Sequence, residues 1–213
     1  SRKSSTLLKV QERRVVPELM DDPDLDPSLH AQALRGLSRI NVASNTVGTL
    51  CAPIAALMRQ QDARPLRVLD VACGGGEVAV GVWKRLRASG LEAEVHGCDI
   101  SPKAVSEAAA RAEQAGAPAA FFQHDVLTGA LPEGYDIIMS SLFMHHLQSD
   151  EVLTLLSAMR EATTRLVMIS DLIRHPMGLA LAYVACYGLS RSPIVPYDGP
   201  ASVRAAFTID EFA

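Results

Sequence analysis

The spacing of apolar residues changes character near Pro65. Ahead of it, an acidic stretch broken by proline (Asp21, Asp22, Pro23, Asp24, Asp26, Pro27) leads into a helix start. Pro27 and Ser28 offer first-turn and cap chemistry there. Leu29, Ala33, Leu34, Leu37 and Ile40 follow at helical spacing. A second helix is predicted over about 47–60, with Leu50, Ile54, Leu57 and Met58 on one side. From Pro65 onward, short β-branched runs alternate with alanine-rich helical stretches. Strands are predicted at 67–71, 93–98, 120–124, 135–140 and 166–170, with helices at 77–89, 102–115 and 149–163 between them. Such alternation predicts βαβ units and a parallel sheet covered on both faces. Ligands of such sheets bind at the carboxyl ends of the strands, so the residues just after each strand are the first to consider. Residues 176–189 are apolar nearly all round, so a helix there should be buried or cover something.

Composition narrows the classes. The 213 residues are 48% hydrophobic and 21% charged, enough apolar surface for a packed core and against disorder. Twenty basic residues against 24 acidic give a net charge of −4, which argues against binding nucleic acid by phosphate neutralisation. The longest apolar run, 177–189, is too short to span a bilayer, and no secretory apolar segment follows the polar start. Cys51, Cys73, Cys98 and Cys186 are widely spaced and form no CxxC pair, which fits a reducing compartment. The expectation is a cytoplasmic protein with a small-molecule substrate and no membrane span, a homodimer being the assembly left open.

The first strand runs into Asp70-Val71-Ala72-Cys73-Gly74-Gly75-Gly76-Glu77. Glycines between a strand and a helix let backbone approach a ligand without a Cβ in the way. Gly74, Gly76 and Ala79 also fit a dinucleotide fingerprint, and so an NAD-binding oxidoreductase. Asp70 speaks against that reading, because a pyrophosphate would not welcome a carboxylate. A cationic ligand such as a sulfonium with an α-amino group would. Asp99, at the end of the second strand, suits the hydroxyls of a ribose in either case. Asp125, after the third, suits an adenine amino group or serves as a loop acid.

Together the segments LDVACGGGE, GCDIS, QHDVL and YDIIMSSLFMHHL resemble class I S-adenosylmethionine-dependent methyltransferases, over roughly 65–170. The resemblance implies a seven-stranded, Rossmann-like, doubly wound and mostly parallel sheet. In it, Asp70 and the backbone around Ala72, Cys73, Gly74 and Gly76 would hold the methionine part of S-adenosylmethionine. Asp99 would bind the ribose, Ile100 would pack on the adenine, Asp125 and Val126 would flank its edge, and the backbone at Ser141 would meet the methionine amine. Ala72 stands where the family's loop has its first glycine. Phe207–Phe212 resembles the start of the family's next helix, where the sequence stops, the expectation being either a truncated chain or a shorter sheet. The expected organisation is an N-terminal helical lid over 1–64 and a cofactor-binding domain over 65–213.

Methyl transfer to a hydroxyl needs alignment, exclusion of water and loss of a proton. His145 and His146 follow the fourth strand by a few residues, and an imidazole is a plausible base for a phenolic or enolic hydroxyl. Asp171, after the fifth strand, is placed to orient substrate or a histidine. Arg174 and His175 are placed to anchor an acidic group. No metal is expected, since adjacent histidines without an HExxH or HxH pattern do not make a site. A looser resemblance to bacterial methyltransferases found beside type III polyketide synthases favours O-methylation of a phenolic or polyketide-derived hydroxyl. C-methylation of a quinone-type precursor is the alternative, and a non-catalytic cofactor-binding subunit is a rival of another class.

Overall fold

The computed structural model describes residues 12–21, 25, 26, 28, 29, 32, 33, 36, 40, 44–60, 64–190 and 192–212. Most of the helix expected over 29–40, including Leu34 and Leu37, lies outside the described residues. The chain forms two compact units. One holds 45–143 and 149–170; the other is assembled from 1–44, 144–148 and 171–213.

The larger unit is the expected α/β sheet. It runs α1 (Thr46–Arg59), β1 (Leu66–Val71), α2 (Glu77–Ala88), β2 (Ala93–Asp99), α3 (Pro102–Ala115), β3 (Phe121–Gln123), β4 (Tyr135–Ser141), α4 (Ser149–Ala162) and β5 (Thr163–Ser170). The five strands lie in the order β3-β2-β1-β4-β5, all parallel. Among the described residues the sheet has five strands, where the resemblance implies seven. β5 begins three residues earlier than its β-branched core suggests, because the Thr163 and Thr164 hydroxyls donate to the carbonyls of Asp136 and Tyr135 and hold the extra turn of strand in place. β3 is shorter than expected, with only Phe121–Gln123 in register with Gly97–Asp99.

Alternation along each strand sets the two faces. Leu66, Val68, Val95, Ile137 and Met139 point one way and pack with Trp83 and Leu86 of α2 and with Leu50 and Ile54 of α1. Leu69, Val71 and Ile138 alternate with them and are fully buried. α1 is therefore a core helix of the sheet unit. The compact units do not divide at 64/65: the apolar side of α1 needs α2 to cover it, and 171–213 group with the N-terminal stretch. α3 starts as its sequence suggests, with Ser101 Oγ accepting from Ala104 N at 3.2 Å and Pro102 in the first turn.

At the amino ends of β1 and β4, the buried Asp136 gathers a forked Arg64 (2.6 and 2.9 Å), the backbone N–H of Arg67 (2.9 Å) and Arg165 (3.0 Å). Burial works against its charge. The Arg64 hydrogen bonds, the Arg67 N–H and the two guanidinium charges outweigh burial and hold the carboxyl below its usual range.

The smaller unit contains short turns at Leu19–Asp21 and Met144–His146, then α5 (Pro176–Leu189), α6 (Val195–Ala205) and α7 (Ile209–Phe212). Ahead of them, Asp26 Oδ1 accepts from the N–H groups of Ser28 (2.8 Å) and Leu29 (3.2 Å), so Asp26 does the capping expected of Ser28. Asp198, buried in α6, accepts the N–H groups of Leu19 (2.8 Å) and Met20 (3.1 Å). Ala33, Cys186, Ile194 and Val195 form a core with Met20, Leu25, Leu29 and Ile40 around it. α5 buries Leu179 and Cys186 but exposes Met177, Leu181, Val184 and Tyr187, so its apolar surround is only half covered among the described residues. The start of α7 is a reciprocal cap: Glu211 N–H donates to Thr208 Oγ1 (3.2 Å) and Thr208 N–H to Glu211 Oε2 (2.9 Å).

Candidate functional site

In the sheet unit, the residues singled out from sequence gather at the carboxyl ends of β1, β2 and β4. Between β1 and α2 the chain turns on backbone that glycine prefers: Gly74 and Gly76 have φ of 52° and 74°. A Cβ on Gly74 would meet nothing, so the space above it is open to a ligand. A Cβ on Gly76 would sit 2.8 Å from the Ala108 Cβ of α3, so this position needs glycine for packing as well as for its dihedral. Ala72 also takes a left-handed φ, 54°, without being glycine, which costs roughly 1–2 kcal/mol. A glycine at this position would be free of that strain.

Asp70 lies beneath this loop. Its side chain is fully buried, and neither carboxylate oxygen has a hydrogen-bond partner. Burial, with the Asp99 carboxylate nearby, pushes the group up to about 8; the Ala79 N–H, in the first turn of α2, pulls weakly the other way. A buried acid with no partner is costly in the charged form.

Asp99 ties the loop to β2. Its Oδ2 accepts from Gly74 N at 2.8 Å and its Oδ1 from Ser101 N at 2.9 Å, and each oxygen keeps a further lone pair for a ligand hydroxyl. Ile100 beside it is 62% exposed, an apolar side chain presented rather than packed. Asp125 accepts from Leu127 N at 3.0 Å; this bond, with Thr128, holds its carboxyl below the usual range, and Val126 behind it is buried. Cys73 is buried, its N–H donating to Cys98 O at 3.0 Å, and its thiol is pushed up by burial and by Asp70 and Asp99. A thiolate nucleophile is therefore disfavoured at this loop. Ser141 ends β4 opposite Ser170, and the next residue, Leu142, has a φ of 53°. A leucine held there marks a strained turn at the strand end.

The other residues singled out belong to the smaller unit. His145 is buried, and its Nδ1 lies 2.7 Å from Asp171 Oδ1. Asp171 also accepts the N–H groups of His145 (3.1 Å) and Leu172 (2.7 Å), so three donors converge on one carboxylate. A carboxylate only accepts, so Nδ1 carries the hydrogen, and in the neutral ring Nε2 carries the lone pair. His146 stacks at a tilt on His145, the ring centroids 4.2 Å apart.

Three groups that sequence reasoning passed over complete this cluster. Glu18 Oε1 lies 3.8 Å from His145 Nε2 and accepts a hydrogen bond from Ser202 Oγ. Arg13 donates to the carbonyls of His145 (3.1 Å) and Ala205 (2.6 Å), pinning the turn. No local signal could have found them, since Glu18 stands far upstream of the histidines and nothing around it is periodic. Arg174 is not placed to anchor a substrate: it is buried, donating to Ala206 O (3.0 Å) and paired with Glu211. His175 is the N-cap of α5, its Nδ1 accepting from Met177 N at 3.2 Å. His96 shares a 2.9 Å hydrogen bond with the Tyr135 hydroxyl, a structural role.

Residues 68–165 match a family model described as a methyltransferase domain. No curated protein matches the chain in sequence. Among solved structures, the chain is similar to the plantazolicin methyltransferase BamL, in complex with a triazolic desmethylPZN analog and SAH. The TM-score is 0.65 and the identity 19%, over 86% of this chain and 64% of that one. It is also similar to magnesium protoporphyrin IX methyltransferase (ChlM) from Synechocystis PCC 6803 with bound SAH, with a TM-score of 0.53 and 22% identity, over 75% of this chain and 66% of that one. A third likeness is to the S-adenosylmethionine-dependent methyltransferase SibL in its apo form: TM-score 0.60, 25% identity, over 78% of this chain and 47% of that one. The chain thus spans a little under two thirds of the length of BamL and about half that of SibL. The first two likenesses, at their low identities, establish a shared fold.

Proposed function

We propose that this chain, whose residues 68–165 match a methyltransferase-domain model and form a Rossmann-like sheet, binds S-adenosylmethionine and methylates a small, largely apolar acceptor. The acceptor atom we assign is the oxygen of a phenolic or polyketide-derived hydroxyl. The observation that carries the reading is Asp70, a fully buried carboxylate without a partner beneath a glycine turn that is open above Gly74. A pyrophosphate would add negative charge beside it, whereas an ammonium or sulfonium would supply the missing counter-charge.

In this reading Asp70 and the backbone of Ala72, Cys73, Gly74 and Gly76 hold the amino-acid end of the cofactor. Asp99 accepts from the ribose hydroxyls with the lone pairs its two backbone donors leave free. Ile100 packs on the adenine, Asp125 accepts from its amino group with Val126 beside it at the adenine edge, and the backbone at Ser141 meets the methionine amine. When bound, S-adenosylmethionine supplies an electrophilic methyl group on a positively charged sulfur. The protein's share is then to align the acceptor, exclude water and lower the cost of removing the hydroxyl proton. His145, whose Met144–His146 turn comes three residues after the end of β4 in sequence, presents a lone pair at Nε2 because Asp171 holds the hydrogen at Nδ1. We assign activation of the hydroxyl to His145 and His146, with Asp171 as the positioning residue.

The test is turnover. The purified chain, given S-adenosylmethionine and a panel of phenols and polyketide-derived hydroxyl compounds, should form S-adenosylhomocysteine only when an acceptor is present. Cofactor binding with no turnover on any hydroxyl, but turnover on a carbon acceptor of the quinone type, would overturn the O-methylation.

A further inference from the structure

We propose that Glu18, His145 and His146 form a binding site for a divalent transition-metal ion, with Asp171 and Ser202 as its supporting shell. The three residues each offer a ligand atom, and all three atoms lie within 4.8 Å of one another. Ligands on a tetrahedral ion at about 2.0–2.1 Å stand roughly 3.4 Å apart. The 3.8 Å from His145 Nε2 to Glu18 Oε1 is too long for a hydrogen bond and closes to that spacing with a shift of a few tenths of an ångström.

The surroundings are those that metal ligands need. His145 gives its Nδ1 hydrogen to Asp171 at 2.7 Å, the carboxylate–histidine arrangement that fixes a ring's tautomer and aims the opposite nitrogen at an ion. Glu18 is itself held by Ser202 Oγ, whose single hydrogen it accepts. Arg13 braces the carbonyl side of the turn at His145 O, 3.1 Å away, and its charge is partly countered by Glu211 and Asp171. Two neutral imidazoles and one carboxylate bind, and a second carboxylate lies behind them. A dication therefore leaves the cluster close to neutral. Two histidines and one carboxylate are the ligand set of zinc and of non-haem iron sites.

Three protein ligands leave at least one position open, which fits an oxygen donor: water, or a phenolic or enolic hydroxyl. An ion there lowers the pKa of that hydroxyl directly. This changes one step of the proposed function, on which it rests for its acceptor: with Nε2 on the ion the hydroxyl is activated by coordination, and its proton passes to water. The site itself stands on the cluster's geometry and not on methyl transfer.

The probes are Zn²⁺ and Co²⁺, added to the full chain after dialysis against chelator. Calorimetry should show one Zn²⁺ per chain, and Co²⁺ should give the visible absorption of a four- or five-coordinate ion. Glu18→Gln and His146→Ala should each weaken binding at least 100-fold with the thermal unfolding midpoint little changed. Asp171→Asn should weaken it 10–100-fold, the range for loss of a supporting partner. His175→Gln, outside the cluster, should bind as the parent does. Absence of stoichiometric binding, or binding indifferent to both Glu18→Gln and His146→Ala, would overturn the site. Titration of the same preparation with S-adenosylhomocysteine keeps this outcome separate from a failure of the cofactor assignment.

Discussion

Asp70 and Asp99 are two carboxylates at the ends of neighbouring strands in opposite electrostatic situations. Asp99 accepts from two backbone donors, whereas Asp70 has only the weak pull of the Ala79 N–H and is pushed up to about 8 by burial and by its neighbour. The folded state thus favours protonated Asp70. Its contribution to stability is complete below the unfolded value near 3.8 and is lost as pH rises through about 8. Unfolding followed by circular dichroism should show stability declining between those limits, and Asp70→Asn should flatten the decline. A cationic ligand at the loop pulls the same pKa down, so S-adenosylhomocysteine binding near pH 7 should release protons, seen as a dependence of the binding heat on the buffer's ionisation enthalpy. Asp99→Ala removes a carboxylate that organises Gly74 and that the proposed function places on the ribose. It should weaken S-adenosylhomocysteine binding by about 1.5–3 kcal/mol, and an unchanged affinity would contradict the ribose assignment. Both acids were legible in sequence because strand ends are where such sheets bind. That Asp70 is fully buried with no counter-charge was not, since burial depends on what α2 places above it.

The strands and helices of the sheet unit followed from periodicity, whereas the helix Val195–Ala205 of the smaller unit did not, and the departures within the sheet unit have local causes. β5 reached further back than its apolar core because threonine hydroxyls anchor its first turn of strand on β4. α1 joined the sheet's core because Leu50 and Ile54 meet Trp83 and Leu86. Two substitutions test how the elements are joined. Gly76→Ala brings a Cβ to 2.8 Å from Ala108 at a φ of 74°, so strain and overpacking between α2 and α3 should together cost about 2–4 kcal/mol in denaturant unfolding. Asp136→Ala strips the amino ends of β1 and β4 of a common acceptor. It should cost about 2–3 kcal/mol, less than for a fully enclosed pair because the freed Arg64 is open to water. The stabilising effect of Asp136 should fade as pH falls below the ordinary carboxylate range, since its own carboxyl is held below that range.

At the scale of the molecule, the sheet unit is nearly continuous in sequence and the smaller unit is not. The first could be read from alternating strands and helices, and the acids at strand ends came with it. The second is assembled from three distant stretches, so no window of sequence contains Glu18, His145 and Asp171 together. Hence Asp171 could be singled out as a partner for a histidine, whereas Glu18, Arg13 and Ser202 required coordinates. No helix among the described residues is long and apolar enough to cross a membrane. The central claim concerns the sheet unit, that its glycine turn and strand-end acids receive S-adenosylmethionine. Calorimetric titration of the purified chain with S-adenosylhomocysteine, with NADH in parallel, tests it most directly. Micromolar binding of S-adenosylhomocysteine alone is the predicted result; binding of NADH in its place would contradict the reading of Asp70 and the methyl-transfer assignment built on it.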